Sequence, residues 1–152
     1  MQFEKAVKSF LDHLQIERAL SINSVAAYKR DLKNFEGFLV SKVLDFENIS
    51  ESDVANYEVH QKAKGLSLAS INRSTSALKT FYKYLSREYA INDPTTGIVT
   101  TRLPRKLPKA LTIAEIESLI NCAERSSNTT SLRDRAILEI LYGTGARVSE
   151  VV

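Results

Sequence analysis

Cysteine is nearly absent from this chain: Cys122 stands alone, so no internal disulfide can form, which suits a reducing compartment. Long apolar runs are missing too. No stretch approaches the roughly 20 apolar residues that a membrane-spanning helix requires. Met1-Gln2-Phe3-Glu4-Lys5 lacks the basic-then-apolar pattern of a signal peptide. A cytoplasmic protein with no membrane partner is expected. The two histidines, His13 and His60, are read as satisfied or solvated side chains, so no metal and no cofactor is expected. Before Ala110 there is no period-2 run of β-branched residues, which excludes a sheet there. Acidic residues are missing from one long stretch: between Lys62 and Arg87 there are six basic residues and no acidic one.

What is present is a moderately apolar, charged chain of 152 residues, 43% hydrophobic and 26% charged, with a pI near 9.0. That is enough for a core. The charge is divided unevenly, with a net of +5 from Met1 to Lys109 and −2 from Ala110 to Val152. A basic excess gathered in one part points to a polyanion as that part's partner.

Helical periodicity runs throughout. Phe3, Val7, Phe10 and Leu14 mark a first helix, and Ser21-Ile22-Asn23-Ser24 caps a second carrying Val25, Tyr28, Leu32, Phe35 and Leu39 on one stripe. Ser50-Glu51-Ser52-Asp53 has capping-box spacing and opens a third helix, ending near Ala63 at Gly65. Ser67 caps a fourth, with Leu68, Ile71, Leu78, Phe81 and Leu85 on its stripe, and Asn92-Asp93-Pro94 breaks the pattern. The expectation is an all-α fold built on a four- to five-helix bundle.

The faces opposite those stripes suggest what the bundle binds. The fourth helix turns Asn72, Arg73, Ser76, Thr80, Lys83 and Arg87 away from its apolar side, with Lys79 nearby. The second presents Asn23, Ala26, Arg30, Lys33 and Gly37. Small residues let a helix approach a duplex while amides and cations reach phosphates and base edges. The alternative is a pair of solvated faces, against which stands the missing glutamate that such faces usually carry. Further on, Thr100-Thr101-Arg102-Leu103-Pro104-Arg105-Lys106-Leu107-Pro108-Lys109 is basic, acid-free and proline-bearing. It reads as an extended linker, either lying along a phosphate backbone through Arg102, Arg105 and Lys106 or acting as a plain spacer. Thr112-Ile113-Ala114-Glu115 then forms a capping box, and Ser131-Leu132-Arg133-Asp134 repeats the signature.

The helix after Ser131 carries the most specific motif. Leu132 through Glu150 reads LRDRAILEILYGTGARVSE: an amphipathic helix broken by Gly143-Thr144-Gly145, then Arg147, whose planar fork suits phosphate. On the few residues around the glycines alone, an ordinary helix C-cap followed by a surface Arg147–Glu150 pair is as good a reading. The longer run resembles the first arginine box of the tyrosine recombinases, "RD-x-A-x-L-x-x-LY-x-TG-x-R-x-SE", with Ala146 where leucine is commoner. The rest follows the same family. Ser21, Ser24, Tyr28, Asp31-Leu32 and Phe35 match its core-binding domain. Gly65-Leu66-Ser67, Ser70 and Asn72-Arg73 match a second region, with Asn72 at a position usually held by arginine. Asp93-Pro94 and Leu107-Pro108-Lys109-Ala110-Leu111 match its connectors. The likeness covers nearly the whole chain and is nearest the cytosolic Xer branch, with a phage or transposon integrase as the alternative.

The resemblance implies a SAM-like core-binding domain over 1–99, a linker over 100–110, and over 111–152 the first helices of a truncated catalytic domain. It implies strand exchange at a double-stranded DNA recombination site, together with a partner recombinase subunit, and a role in chromosome dimer resolution. In the family a tyrosine attacks the scissile phosphate, leaving a 3′-phosphotyrosyl link and a free 5′-hydroxyl. Arg147 matches the first catalytic arginine, with Glu150 bracing it. The second arginine motif, the lysine hairpin and the nucleophile are expected beyond Val152. Tyr28, Tyr82 and Tyr84 are read as packing or DNA-contacting residues, and the apolar face of the last segment (Ile116, Leu119, Ile120, Ile137, Leu138, Leu141) as partly uncovered. Two other readings stand beside this one: a stand-alone DNA-binding module, and a helical domain that meets an acidic protein.

Overall fold

Serine caps begin three of the first four helices. Ser21 Oγ accepts from the Ser24 amide (3.2 Å) and Ser67 Oγ from the Ser70 amide (3.3 Å), each satisfying a donor that the first helical turn leaves open. At Ser50 the box is complete: its amide donates to Asp53 Oδ2 at 2.9 Å, and the Asp53 amide donates to Ser50 Oγ at 3.3 Å. The result, in a computed structural model that describes residues 1–100, 110–125 and 130–152, is α1 (Phe3–Ile16), α2 (Ile22–Lys42), α3 (Glu51–Ala63) and α4 (Leu68–Tyr89). Gly65, at φ +78°, ends α3 in the left-handed conformation, and the Leu66 amide closes back on the Gln61 carbonyl at 3.2 Å. Among the described residues the chain is all helical, with no strand.

The chain forms two units, Met1–Pro104 and Arg105–Val152. The core of the first is aromatic. Phe10, Leu14, Leu32, Phe35, Val54, Tyr57, Leu78, Phe81, Tyr82 and Leu85 are all essentially inaccessible. Phe81 of α4 lies edge-on to Phe3 and Phe10, with ring centroids 5.8 and 5.3 Å apart, and Phe35 of α2 meets Tyr57 of α3 at 5.1 Å. Tyr82 donates from its hydroxyl to the Phe46 carbonyl at 3.0 Å, so the ring is buried with its one polar atom satisfied. Tyr82 and Tyr84 therefore pack, and Tyr28 meets Phe10 at 5.7 Å. Leu68, expected on the α4 stripe, is 44% exposed because it begins the helix ahead of the core.

The second unit holds α5 (Ile113–Arg125), α6 (Ser131–Thr144) and α7 (Val148–Val151). Thr112 and Glu115 form the expected box: the Thr112 amide donates to Glu115 Oε2 at 2.8 Å, and the Glu115 amide donates to Thr112 Oγ1 at 3.3 Å. The box expected at Ser131 does not form. Thr130 is the cap and makes no side-chain cap bond, while the Asp134 carboxylate takes Arg133 Nη2 at 2.8 Å in place of a backbone donor. The expected two-glycine break is also narrower. Gly143 continues α6, and only Gly145, at φ +65°, turns left-handed, its amide donating to the Leu141 carbonyl at 3.0 Å. No described side chain of this unit is fully buried: Leu119 and Ile140 are exposed, and Ile116, Ile120, Ile137, Leu138 and Leu141 are half-buried. No helix among the described residues is long and apolar enough to cross a membrane.

Because Phe81 touches rings from α1 and is fully enclosed, Phe81→Ala should cost about 3–5 kcal/mol of stability. Urea unfolding of the variant beside the parent chain measures it, and a loss below about 1 kcal/mol would mean the ring is not the centre of the core.

Candidate nucleic-acid interface

Burying one side of α4 leaves the other to solvent, and that side is basic. Arg73, Ser76, Lys83 and Arg87 are exposed, and Asn72, Thr80 and Lys79 are half-buried beside them. Two of the small polar residues turn inward on their own helix. Ser76 Oγ donates to the Asn72 carbonyl at 2.8 Å, and Thr80 Oγ1 donates to the Ser76 carbonyl at 3.0 Å. Their hydroxyl protons are thus engaged, and the lone pairs are what they offer a partner. On α2, Asn23, Arg30 and Lys33 are all exposed. Arg102, Arg105 and Lys106 lie outside the described residues.

Two cations assigned to this face from sequence are engaged within the fold. Lys79 Nζ donates to the Ile98 carbonyl, drawing the side chain toward the turn that follows Pro94. Arg73 Nη2 donates to Asp31 Oδ1 at 2.9 Å, and the Asp31 side chain is only 5% exposed. Arg73 is thus a strut between α4 and α2, with its guanidinium half exposed and the remaining donors of the fork turned outward. Sequence reasoning placed Asp31 within a motif but did not see it as the anchor of this strut. Its position beside Leu32, at the edge of the apolar stripe, was the available signal.

A second polar layer lies beneath. Gln61 Nε2 donates to the Tyr57 hydroxyl at 3.0 Å and to Ser74 Oγ at 2.9 Å, and Thr75 donates to Glu58 at 2.6 Å. These bonds fix the rotation of α4 against α3, and so fix which residues face outward.

In the second unit, Arg147 precedes α7 with an extended backbone (φ −74°, ψ 148°), and its side chain is 83% exposed. Glu150 holds it twice: Oε2 accepts from the Arg147 amide at 2.8 Å and Oε1 from Nη1 at 3.1 Å. That pairing is common to an ordinary surface ion pair and to a braced phosphate ligand. Among the described residues no cluster of three or more metal-ligating side chains occurs.

Burial raises the Asp31 pKa above its ordinary value of 3.8, while Arg73 and then Arg30 pull it down by less. A carboxyl whose folded pKa exceeds its unfolded one takes up a proton on folding. Its contribution is whole below the unfolded pKa and is lost as pH rises through the folded one. Asp31→Asn, which keeps an acceptor for Arg73, should therefore gain on the parent chain as pH rises through the carboxylate range. Urea midpoints of both proteins across that range test it. A difference that moves the other way would mean that Arg73 outweighs burial.

Comparison with known proteins identifies the family. Residues 7–89, covering most of α1 to α4, match the phage integrase N-terminal SAM-like domain. The chain is 36% identical to the tyrosine recombinase XerC of Herpetosiphon aurantiacus over 98% of its own length and 49% of that protein. It is 37% identical to XerD of Oceanobacillus iheyensis over 98% of the chain and 50% of the relative. It is 37% identical to XerC of Listeria monocytogenes over 99% and 51%. The chain thus spans about half the length of these relatives. It belongs to the phage integrase, or tyrosine recombinase, family and carries that family's N-terminal SAM-like domain.

Proposed function

We propose that this chain is the DNA-gripping part of a Xer-type site-specific recombinase, with duplex DNA held against the outward faces of α2 and α4. The observation that carries the reading is the outer side of α4, which lies in a stretch with no acidic residue from Lys62 to Arg87 and projects Ser76, Lys83 and Arg87 from a helix whose other side is packed in the core. Asn23, Arg30 and Lys33 of α2 extend the face, and the Asp31–Arg73 strut fixes the two helices to one another. Residues 1–99 form the core-binding domain, 100–110 the connector, and 111–152 the opening helices of the catalytic domain. The parent enzyme joins a partner recombinase subunit on the DNA and serves chromosome dimer resolution.

In that enzyme Arg147 holds the scissile phosphate. Its fork places two donors on the non-bridging oxygens, where negative charge must be balanced as a tyrosine hydroxyl attacks phosphorus and the 5′-oxygen leaves. Glu150, bonded to both the amide and the guanidinium of Arg147, limits the rotamers the arginine can adopt.

Binding to a duplex carrying a palindromic recombination site, compared with a scrambled duplex across a salt series, tests the reading. Affinity should fall steeply with salt, by a slope of about 0.9 for each phosphate contacted, and site preference should persist at moderate salt. Arg30→Ala should lower that slope by about one unit, whereas Arg147→Ala should barely change binding. Absence of binding at low salt would favour a protein-interaction domain. Equal affinity for both duplexes would leave only a DNA-coating surface.

These 152 residues hold one arginine of the expected set, and none of the six tyrosines stands in the nucleophile's context. The chain alone should therefore form no phosphotyrosyl product with a suicide substrate. A covalent adduct resolved on a denaturing gel would overturn that expectation.

A further inference from the structure

A cavity of about 620 Å³ opens where the end of α1 meets the last turns of α4. His13 and Arg18 contribute to its wall from one side, and Thr80, Lys83 and Arg87 from the other, so it continues the outer face of α4. The His13 ring lies against Tyr84 with centroids 4.9 Å apart, and its side chain is only 10% exposed. Nδ1 stands 2.9 Å from Oε2 of Glu17, a carboxylate that also lines the cavity, so the ring is oriented by Glu17 as well as by Tyr84.

The charges around it are unequally engaged. The Asp93 carboxylate accepts from the Thr95 amide at 2.8 Å and from the Thr95 hydroxyl at 2.6 Å. Arg87 gives Nε to Glu88 at 2.7 Å and keeps its other donors. The side chains of Arg18 and Lys83 have no ion-pair partner among the described residues. Arg18, just past the end of α1, and Lys83 of α4, one a planar fork and one a point charge, match the needs of a tetrahedral anion.

We propose that this cavity seats a phosphodiester group of the bound duplex, with His13 and Arg18 joining Lys83 and Arg87 as its donors. The inference rests on the DNA-binding reading above and adds α1, to which that reading gives no contact. Arg18 supplies bidentate hydrogen bonds, Lys83 compact charge, and His13 a ring donor held in place between Tyr84 and Glu17.

The test is duplex binding by the full chain across a salt series for the parent, Arg18→Gln and Lys5→Gln. Lys5 is an exposed lysine of α1 that does not line the cavity. Arg18→Gln should reduce the salt slope by about one unit while Lys5→Gln keeps the parent's slope. His13→Phe, which retains a ring against Tyr84, should weaken binding severalfold with an unchanged circular dichroism spectrum. If the parent binds and Arg18→Gln keeps its slope, or Lys5→Gln loses as much, the seat is overturned while the DNA reading stands. If the parent shows no salt-dependent binding, both fall. Inorganic phosphate, followed through the His13 ring resonances, separates the sources: saturable shifts alongside an unaltered Arg18→Gln slope would assign the cavity to free phosphate and overturn the duplex assignment.

Discussion

Everything outward about the first unit depends on the enclosure of Phe81. Its ring fills the space between Phe3 and Phe10 of α1, one residue from Tyr82, which reaches toward Phe35 and bonds the Phe46 carbonyl. Edge-to-face aromatic contacts are directional as well as apolar. They therefore hold α4 at one rotation about its axis. Were α4 to roll by a single residue, about 100°, the stripe of Ile71, Leu78, Phe81 and Leu85 would leave the core and the basic side would enter it.

Polar ties refine what the rings establish. Asp31 is buried at a cost that burial itself reveals in its raised pKa, and Arg73 offsets part of that cost from the neighbouring helix. An apolar residue there would pack without the penalty. What the ion pair contributes instead is a directional tie between α2 and α4, made by the Arg73–Asp31 contact. Gln61, Tyr57 and Ser74 perform the same service between α3 and α4. A face meant to meet a regular polyanion needs its cations at fixed spacing, and these bonds fix the spacing.

The two units differ in how far they are finished. The first encloses an aromatic core, whereas α5 and α6 keep Leu119, Leu132 and Ile140 exposed and bury none of their described side chains fully. Arg147, held by Glu150, stands on this more open part.

Most of the first unit was legible because its signals are local. Ser21, Ser50 and Ser67 cap by reaching three residues ahead, and the +3 and +4 spacing of Phe10, Leu14, Leu32, Phe35, Phe81 and Leu85 states which side is inside. The Gly145 turn and the Arg147–Glu150 pairing are local too, and both were readable. Where local rules competed, they were less reliable: Asp134 turned to Arg133 rather than to a capping role, and Gly143 stayed helical because only one left-handed residue is needed to end a helix. The sequence by itself determined the helices, their apolar sides and the family likeness, since each rests on residues within a turn or two or on a contiguous motif. Only the tertiary structure decided that Arg73 is tied to Asp31, that Lys79 is drawn to Ile98, and that His13 and Arg18 meet Lys83 and Arg87 around one cavity. Those partners lie at least 19 residues apart, and spacing along a chain carries no information about which distant side chains packing will bring together.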